Sequence, residues 1–379
     1  MTLPSKLSDL APDLGRWREV VARYQNPSVR RSVFQLSTTL VPLLATFVVM
    51  YFTSHVSYLL TLGLAVIAGG FLIRTFIIMH DCGHGAFFRS RRANDIVGFI
   101  TGVLTMTPYV QWRRDHAIHH AHSGHLDERG HGDVSTLTVK EYLALSWWGR
   151  FKYRAYRNPV VMLGFGPMWL MGIKHRFHTR DTAGKREIIG VHLTNAAIVL
   201  LFLLTSMLIG PLKVIALYLP AMFIAGAAGI WLFYVQHQFE DTYWAKPPQW
   251  DYATAAVAGS SFFRLPRVLD WFTGSIGYHH IHHLSPKIPF YNLRKCHEEN
   301  PAFGVARLLT IRESLQTFRL KLWDEDRAQL IGWRELRHRV TGRLGLATED
   351  LRGGDHGSRP SSFPGAGPRR WSAGRERPV

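Results

Sequence analysis

The stretch YLLTLGLAVIAGGFLIRTFIIMHDCGH, residues 58–84, decides the fold class of this chain. A helix needs roughly 20 predominantly apolar residues to cross a bilayer, and residues 58–79 supply such a run. Its one charged residue, Arg74, lies near the end of the run, so we expect its side chain to reach toward the membrane interface. His80 and His84 follow directly. The sequence therefore predicts a membrane span that ends in paired histidines.

Three further runs have the length and composition of membrane spans, at about residues 32–52, 189–209 and 212–236. Residues 53–57 join the first span to the second, and Gly210 and Pro211 join the third to the fourth. Links this short predict two helical hairpins.

With 2 cysteines among 379 residues, the chain is neither a disulfide scaffold nor a thiolate metal cluster.

The distribution of charge predicts the orientation of the hairpins. The chain carries 45 Lys and Arg against 27 Asp and Glu, a formal net charge of +18. Such a balance is typical of nucleic-acid binding or of loops held on the cytoplasmic side of a membrane, and the apolar runs favour the membrane. Lys213 is the one basic residue near the hairpin links, whereas residues 1–31, 80–184 and the C-terminal part are rich in Arg and Lys. The positive-inside rule then places both termini and the central loop in the cytoplasm.

The remaining segments are shorter or more polar. The apolar runs Ile96–Val110 and Val160–Ile173 are short for spans, so we expect re-entrant or interface-lying helices; a pair of extra spans is the alternative. Residues 1–31 are predicted to be a cytoplasmic N-terminal segment, 32–310 the membrane domain, and 311–352 an amphipathic helical segment. Residues 353–379 are rich in Gly, Pro, Ser and Arg and are predicted to be a disordered basic tail.

Histidines are grouped in three places beyond the predicted span ends. The groups read HDCGH at 80–84, HAIHH at 116–120 and HHIHH at 279–283, and His237 follows the fourth span. On a helix, residues three and four apart share a face, so each group would aim two or three imidazoles in one direction. The members with this spacing, together with His237, are His80, His84, His116, His119, His120, His237, His279, His282 and His283.

Nine imidazoles are more than one metal ion uses. An ion with open coordination positions needs three or four protein ligands, so two ions are indicated. Imidazole suits Zn, Cu, Fe or Ni, and the ligand type alone leaves these open. The nearby acids Asp81, Asp115, Asp133, Glu240 and Asp241 are interpreted as partners that orient the rings. His122, His125 and His131 follow the second group and remain undecided; the isolated histidines are interpreted as ordinary polar residues.

At these residues the chain resembles the membrane fatty acid desaturase family, whose three histidine boxes read H-x3–4-H, H-x2–3-H-H and [HQ]-x2-H-H. The surrounding sequence is similar as well, in HDCGHGAFF at 80–88, WRRDHAIHHAHSG at 112–124 and HHIHHLSPKIPFYNLRKCHEENP at 279–301. His237, in YVQHQFE, matches an additional histidine of the bacterial and cyanobacterial Δ12 (omega-6) acyl-lipid desaturases. The resemblance covers residues 30–310.

The resemblance implies an all-α integral membrane protein, with four transmembrane helices in two hairpins and a cytoplasmic helical di-metal domain. It further implies two iron ions held by the nine histidines, O2 as co-substrate, and the acyl chain of a membrane lipid as substrate in an apolar tunnel. The product is a cis double bond. The sequence contains no haem-binding domain, cluster site or convincing dinucleotide motif, so an external electron donor such as a ferredoxin is expected. The expected location is a bacterial inner membrane.

The histidine groups are compatible with two other classes of function. A hydroxylase, ketolase or alkane monooxygenase of the same superfamily would carry very similar boxes, although the HDCGH and HHLSP contexts favour a desaturase. A histidine-rich metal transporter is more remote, because transport sites usually lie near the bilayer midplane and these groups lie beyond the span ends.

Overall fold

The computed structural model describes residues 15–130, 134–179 and 183–341, and they are mainly helical. The helices are α1 (Trp17–Ala22), α2 (Val29–Thr53), α3 (Tyr58–His84), α4 (Arg91–Leu104), α5 (Tyr109–His122), α6 (Val139–Ala144), α7 (Trp147–Tyr156), α8 (Gly166–Gly172), α9 (Lys185–Ile209), α10 (Pro211–His237), α11 (Tyr252–Ala258), α12 (Arg267–Phe272), α13 (His279–Leu284), α14 (Phe290–Glu298) and α15 (Ile311–Thr317). A π-helical turn (Val161–Phe165) and two 3-10 turns (Lys174–Arg176 and Pro301–Val305) connect some of them. Two small sheets pair β1 (Phe262–Phe263) with β2 (Leu308–Leu309) and β3 (Leu320–Asp324) with β4 (Gln329–Gly332).

Four helices in the described part of the chain are long and apolar enough to cross a membrane: α2, α3, α9 and α10. They contain the four predicted spans and form the two predicted hairpins, α2–α3 and α9–α10. Helix α3 continues beyond the apolar run as far as His84, so His80 and His84 lie one turn apart on a rigid helix. The helix ends at Gly85, whose φ of 68° is the left-handed conformation that glycine adopts readily.

The two hairpins meet along α3 and α10, which pack closely. A Cβ added at Gly69 of α3 would lie 2.9 Å from Cγ2 of Ile224 on α10. The absence of a side chain at Gly69 therefore lets the backbones of the two helices approach. Around this contact lies a core of buried residues from three spans: Leu43, Met50, Ala65, Ala68, Phe71, Leu72, Leu217, Ala221, Met222 and Ala225.

The Arg74 side chain, which the sequence predicts to extend toward the membrane interface, is buried by protein. Its side chain is 2% exposed, and its guanidinium donates to Thr39 Oγ1 at 3.1 Å, to Gln35 Oε1 and to the carbonyl of Trp271. The guanidinium also lies over the Trp271 ring, 4.0 Å from its centroid. Helices α2 and α12 thus supply the polar and aromatic partners that the lipid could not.

The two short apolar runs fold back beside the spans. The first forms the second half of α4, the loop to α5 and the first residues of α5; Met106 in this loop packs against the core that contains Leu72 and Met222. The second run forms the π-helical turn and α8, where Pro167 and Met171 contact α10 near Gly226. None of these helices is among the four that are long enough to cross a membrane.

The predicted helical segment 311–352 is partly wrong. Residues 311–317 and 333–341 are helical, but β3 and β4 form an antiparallel hairpin between them. The reason is a turn after β3, where Asp324 Oδ1 accepts from the backbone N–H groups of Asp326 and Arg327, an arrangement that favours chain reversal over helix.

The chain divides into two compact units, Met1–Trp333 and Arg334–Val379. Of the second unit the structure describes residues 334–341, which are helical. Residues 342–352, the predicted tail 353–379 and residues 1–14 of the N-terminal segment lie outside the described residues. The predicted segment boundaries stay predictions.

Candidate metal centre

All nine histidines singled out in the sequence lie in two adjoining groups. The first group contains His80, His84, His116, His120 and His282, and the second contains His119, His237, His279 and His283. Within each group, one ring nitrogen of every residue lies within 4.8 Å of the others. Helices α3, α5, α10 and α13 supply the residues, and the stacked rings of His120 and His283, 4.1 Å apart, connect the two groups.

In the first group the Nε2 atoms converge. His116 Nε2 lies 3.1 Å from His80 Nε2 and 3.1 Å from His120 Nε2, which is 3.0 Å from His282 Nε2. Each Nε2 has either one hydrogen or one lone pair. These three contacts run through four nitrogen atoms, so at most two of them can be hydrogen bonds. Moreover, His84 Nε2 is buried without a hydrogen-bond partner among the described residues.

The second group has the same character. His279 Nε2 lies 3.0 Å from His237 Nε2, and His119 Nε2 lies 3.3 Å from His283 Nε2. Helix α5 contributes to both groups, because His119 and its neighbours His116 and His120 point to slightly different sides of the helix. Helix α5 thus contributes to fixing the distance between the two groups.

The spacing of these nitrogens fits a bound metal ion. With metal–nitrogen bonds of about 2.1 Å, two ligands at 90–110° would have their nitrogens about 3.0–3.4 Å apart. The observed 3.0–3.3 Å agrees with this range. An all-imidazole donor set suits Zn, Cu, Fe or Ni and disfavours Mg²⁺ and Ca²⁺, which prefer oxygen ligands.

Burial keeps these rings in the form that binds metal. Loss of solvent, reinforced by the neighbouring imidazoles, holds the pKa values of His116, His120, His279, His282 and His283 well below their usual range. The rings are therefore neutral at physiological pH, and a neutral imidazole has the lone pair that a metal requires.

Several contacts orient the rings. Asp81 Oδ1 lies 3.4 Å from His80 Nδ1, and Asp81 Oδ2 accepts from the backbone N–H of Phe290 at 2.7 Å, which ties α3 to α14. His237 Nδ1 lies 3.3 Å from the carbonyl of Gly259. The Trp112 ring stacks on His116 at 4.4 Å. Of the other predicted acidic partners, Asp115 bonds to Gln111 and Thr179, Asp241 pairs with Arg307 and Asp133 lies outside the described residues.

The remaining histidines lie apart from both groups. His122 pairs with Glu128 at 2.8 Å near the surface, and His125 Nδ1 accepts from the backbone N–H of Glu128. His280, inside the third box, faces away from the groups, and its Nε2 lies 3.3 Å from His297 Nδ1. His131 lies outside the described residues.

A cavity of about 680 Å³ adjoins the histidines. Its wall includes His80, His116 and His279 and is otherwise mostly apolar, with Phe76, Trp112, Met162, Trp169 and Phe233 among its lining residues. Its volume lies within the range of small-molecule sites. The sequence predicts a tunnel but does not locate it, because the lining comes from α3, α5, α8, α10 and α13 and from segments that connect helices. Trp112 and Thr107 line the cavity, whereas Phe87 is a fully buried core residue.

Comparison with known proteins gives a consistent result. A sequence model described as "Fatty acid desaturase" matches residues 55–314. The "Fatty acid desaturase" of Bacillus subtilis (strain 168) is 46% identical over 318 residues, which cover 84% of this chain and 90% of that protein.

Plant proteins are more distant relatives. The "Omega-3 fatty acid desaturase, chloroplastic" of Brassica napus is 29% identical over 60% of this chain and 58% of its own length. The "sn-2 acyl-lipid omega-3 desaturase (ferredoxin), chloroplastic" of Helianthus annuus is 28% identical over 60% of this chain and 53% of its own length. The match therefore spans somewhat more than half the length of these two plant relatives.

Proposed function

The chain belongs to the fatty acid desaturase family, and from that premise we propose that it introduces a cis double bond into the acyl chain of a membrane lipid at a di-iron centre held by nine histidines. The observation that carries the proposal is the apolar cavity, whose wall contains His80, His116 and His279 from the two histidine groups. An acyl chain in this cavity would pass beside both proposed ion sites.

The proposed roles of the residues follow from their positions. His80, His84, His116, His120 and His282 would hold one iron ion, and His119, His237, His279 and His283 the other. Two bound iron ions would supply the O2-dependent chemistry that removes one hydrogen from each of two adjacent methylenes. The helices hold the rings in fixed positions, Asp81 fixes the orientation of His80, and the apolar wall excludes water from the reacting carbons.

We propose the Δ12 (omega-6) position for the double bond, on the resemblance of the box sequences. An acyl chain offers few polar groups, so the position must be read from the shape of the cavity and from how the end of the chain is held. A slip by one methylene is worth only about 1–3 kcal/mol. Mapping the double bond by mass spectrometry tests this assignment.

We propose an external electron donor, a ferredoxin, which meets the basic surface of the chain by charge complementarity. One Helianthus annuus relative carries the word ferredoxin in its name. Turnover should then fall as ionic strength rises. Turnover by the isolated protein with NAD(P)H alone, independent of salt, would contradict this proposal.

The proposed location is a bacterial inner membrane, with the termini and the metal centre on the cytoplasmic side. The support is the charge distribution. Lys213 is the one Lys or Arg near the hairpin links, while many Lys and Arg residues lie beyond the other ends of the spans. Labelling of single cysteines introduced at residues 55 and 295 in intact cells would test it, with only residue 55 expected to react from outside.

The decisive experiment is the fatty-acid profile of bacterial membranes that contain this chain, in iron-replete cells with a co-expressed ferredoxin system. The His120→Ala variant is the comparison. A new double bond with the wild type alone would support the proposal. A hydroxyl group retained in the product would instead identify a hydroxylase.

A further inference from the structure

A basic turn lies at the cavity, apart from the histidine groups. Lys174 and His175, in the 3-10 turn Lys174–Arg176, both belong to the cavity wall. In the part of the chain that the structure describes, Lys174 is the one lysine or arginine of that wall. The cavity thus connects the proposed ion sites with a cationic side chain.

The turn is fixed against the spans. Arg176 donates to Asn195 Oδ1 at 2.7 Å, to the carbonyl of Met171 at 3.1 Å and to the carbonyl of Met106. Asn195 lies six residues, or about 9 Å, along α9 from the start of the apolar run at Ile189. Because Arg176 bonds to Asn195, the neighbouring Lys174 also lies near this end of the span. A lysine near the end of a span extends its amine toward the lipid headgroups.

The surface around the turn is apolar and faces outward. Phe165, Trp169, Ile173 and Phe177 are 60%, 49%, 44% and 69% exposed, and the rings of Phe165 and Trp169 stack at 6.2 Å. Exposed aromatic side chains beside a span are typical of contact with the acyl and headgroup boundary of a bilayer. The outer side of the turn therefore faces lipid.

The charges at this end of the cavity favour an anion. Lys174 is exposed, and it forms no ion pair with the described residues. Arg176 is bound by neutral oxygens. Burial, assisted by the adjacent Arg176 and Lys174, lowers the pKa of His175 to about 3, so this ring is neutral. The carboxylate of Asp115, on the same wall, is bound by Gln111 and Thr179.

We propose that Lys174 binds the phosphate of a membrane phospholipid whose acyl chain enters the cavity, so that the lipid is taken laterally from the bilayer and held by its headgroup end. This inference rests on the proposed function. Its consequence is that the enzyme counts carbons from the ester end of the chain: lengthening the chain at its methyl end should leave the distance between ester and double bond unchanged.

The first test measures binding alone. Native mass spectrometry of the detergent-solubilised protein would compare retention of phosphatidylglycerol with that of a neutral glucosyl diacylglycerol carrying the same acyl chains. We expect a preference of about tenfold for the phospholipid, the effect of one charged hydrogen bond. Lys174→Ala and Lys174→Gln should abolish the preference, and Lys174→Arg should keep it.

Lys213→Ala is the matched control, because Lys213 bonds to Ser54 at the opposite end of the spans. It should leave the preference intact. Equal retention of both lipids by the wild type, or a preference that survives in both neutral variants of Lys174, would overturn the inference. A phospholipid preference without any turnover would contradict the proposed function and leave the Lys174 site standing.

The second test uses turnover in vesicles of phosphatidylglycerol with 16- or 18-carbon chains. A double bond at the same distance from the ester in both lipids is expected, and a broader distribution of positions with Lys174→Gln. A position that follows the methyl end instead would show that the headgroup end is not the fixed one.

Discussion

The imidazoles of the two groups are useful as ligands because they are mostly buried and because helices hold their ring nitrogens close together. His84 shows this clearly, since its Nε2 is buried without a hydrogen-bond partner among the described residues, an arrangement that costs free energy unless a metal satisfies it. His283 connects the groups through its stack with His120. The loss of either ring should therefore affect the metal content before it affects the fold.

We predict that His84→Ala and His283→Ala each lower desaturation by at least about 100-fold and reduce the iron bound per chain, while the protein still accumulates in membranes. The measurements are the fatty-acid profile and elemental mass spectrometry of the purified protein. His122→Ala is the control, because His122 pairs with Glu128 outside both groups. Full activity in either of the first two variants would remove that residue from the ligand set.

The neutral rings also predict a dependence of stability on pH in metal-depleted protein. Burial lowers the pKa values of His116, His120, His279, His282 and His283 in the folded state, whereas the unfolded chain has ordinary values near 6.5. Below pH 6.5 the unfolded state therefore binds more protons, and stability present above that pH is lost as the pH falls, by up to about 1.4 kcal/mol per ring and pH unit.

Thermal unfolding of the metal-depleted protein should consequently occur at a lower temperature at pH 5.5 than at pH 7.5. Iron-loaded protein should lose its metal over the same range, because protons compete for the same lone pairs. An unfolding temperature that is unchanged or higher at pH 5.5 would contradict the interpretation of the rings as neutral.

At the scale of elements, the closest approach is between α3 and α10. The position of Gly69 against Ile224 leaves no room for a side chain, and the added Cβ would also lie 3.2 Å from the carbonyl oxygen of Ala221. Since α3 carries His80 and His84 and α10 carries His237, this contact sets the distance between helices that supply both groups.

We predict that Gly69→Leu lowers the free energy of unfolding by about 1–3 kcal/mol through overpacking and reduces both the yield of folded protein and its iron content. Gly63→Leu, on the same helix, is the control, because a Cβ there meets no atom within 4 Å. The measurement is the thermal unfolding midpoint in detergent. Equal midpoints for the two variants would show that α3 and α10 pack less tightly than described.

At the scale of the whole molecule, the cavity is the feature that, in the proposed function, makes the metal centre specific for an acyl chain. It is built where the two hairpins and the two short apolar runs meet. Gly229 of α10 lines it, and a Cβ at this position would meet no protein atom within 4 Å. A larger side chain there would fill the cavity without displacing its wall.

We therefore predict that Gly229→Leu leaves the yield and iron content near those of the wild type but lowers turnover of long acyl chains, on the order of tenfold or more, with shorter chains less affected. The fatty-acid profile of cells supplied with chains of different lengths is the measurement. The matched comparison is again Gly63→Leu, which should behave like the wild type. An unaltered profile in Gly229→Leu would place the acyl chain elsewhere.

The sequence alone determined the features that depend on local patterns. Long apolar runs require helices in a bilayer, so the four spans could be located to within a few residues; the i, i+3 and i+4 spacing of the boxes identified the nine histidines that the structure brings together. Local patterns were less informative where both the helical and the strand periodicity fit the apolar residues. The segment Leu320–Gly332 was predicted as helix because of this ambiguity, and it forms a β-hairpin.

Only the tertiary structure decided how the histidines divide into groups of five and four, that Arg74 is held inside by α2 and α12, and which residues line the cavity. These features join side chains from helices far apart in sequence, and their positions depend on how the helices pack. No spacing within one segment specifies such packing, because it is set by the shapes of several surfaces at once. The spacing of histidines within each segment thus identifies the candidate ligands, while the packing of the helices forms the cavity that adjoins them.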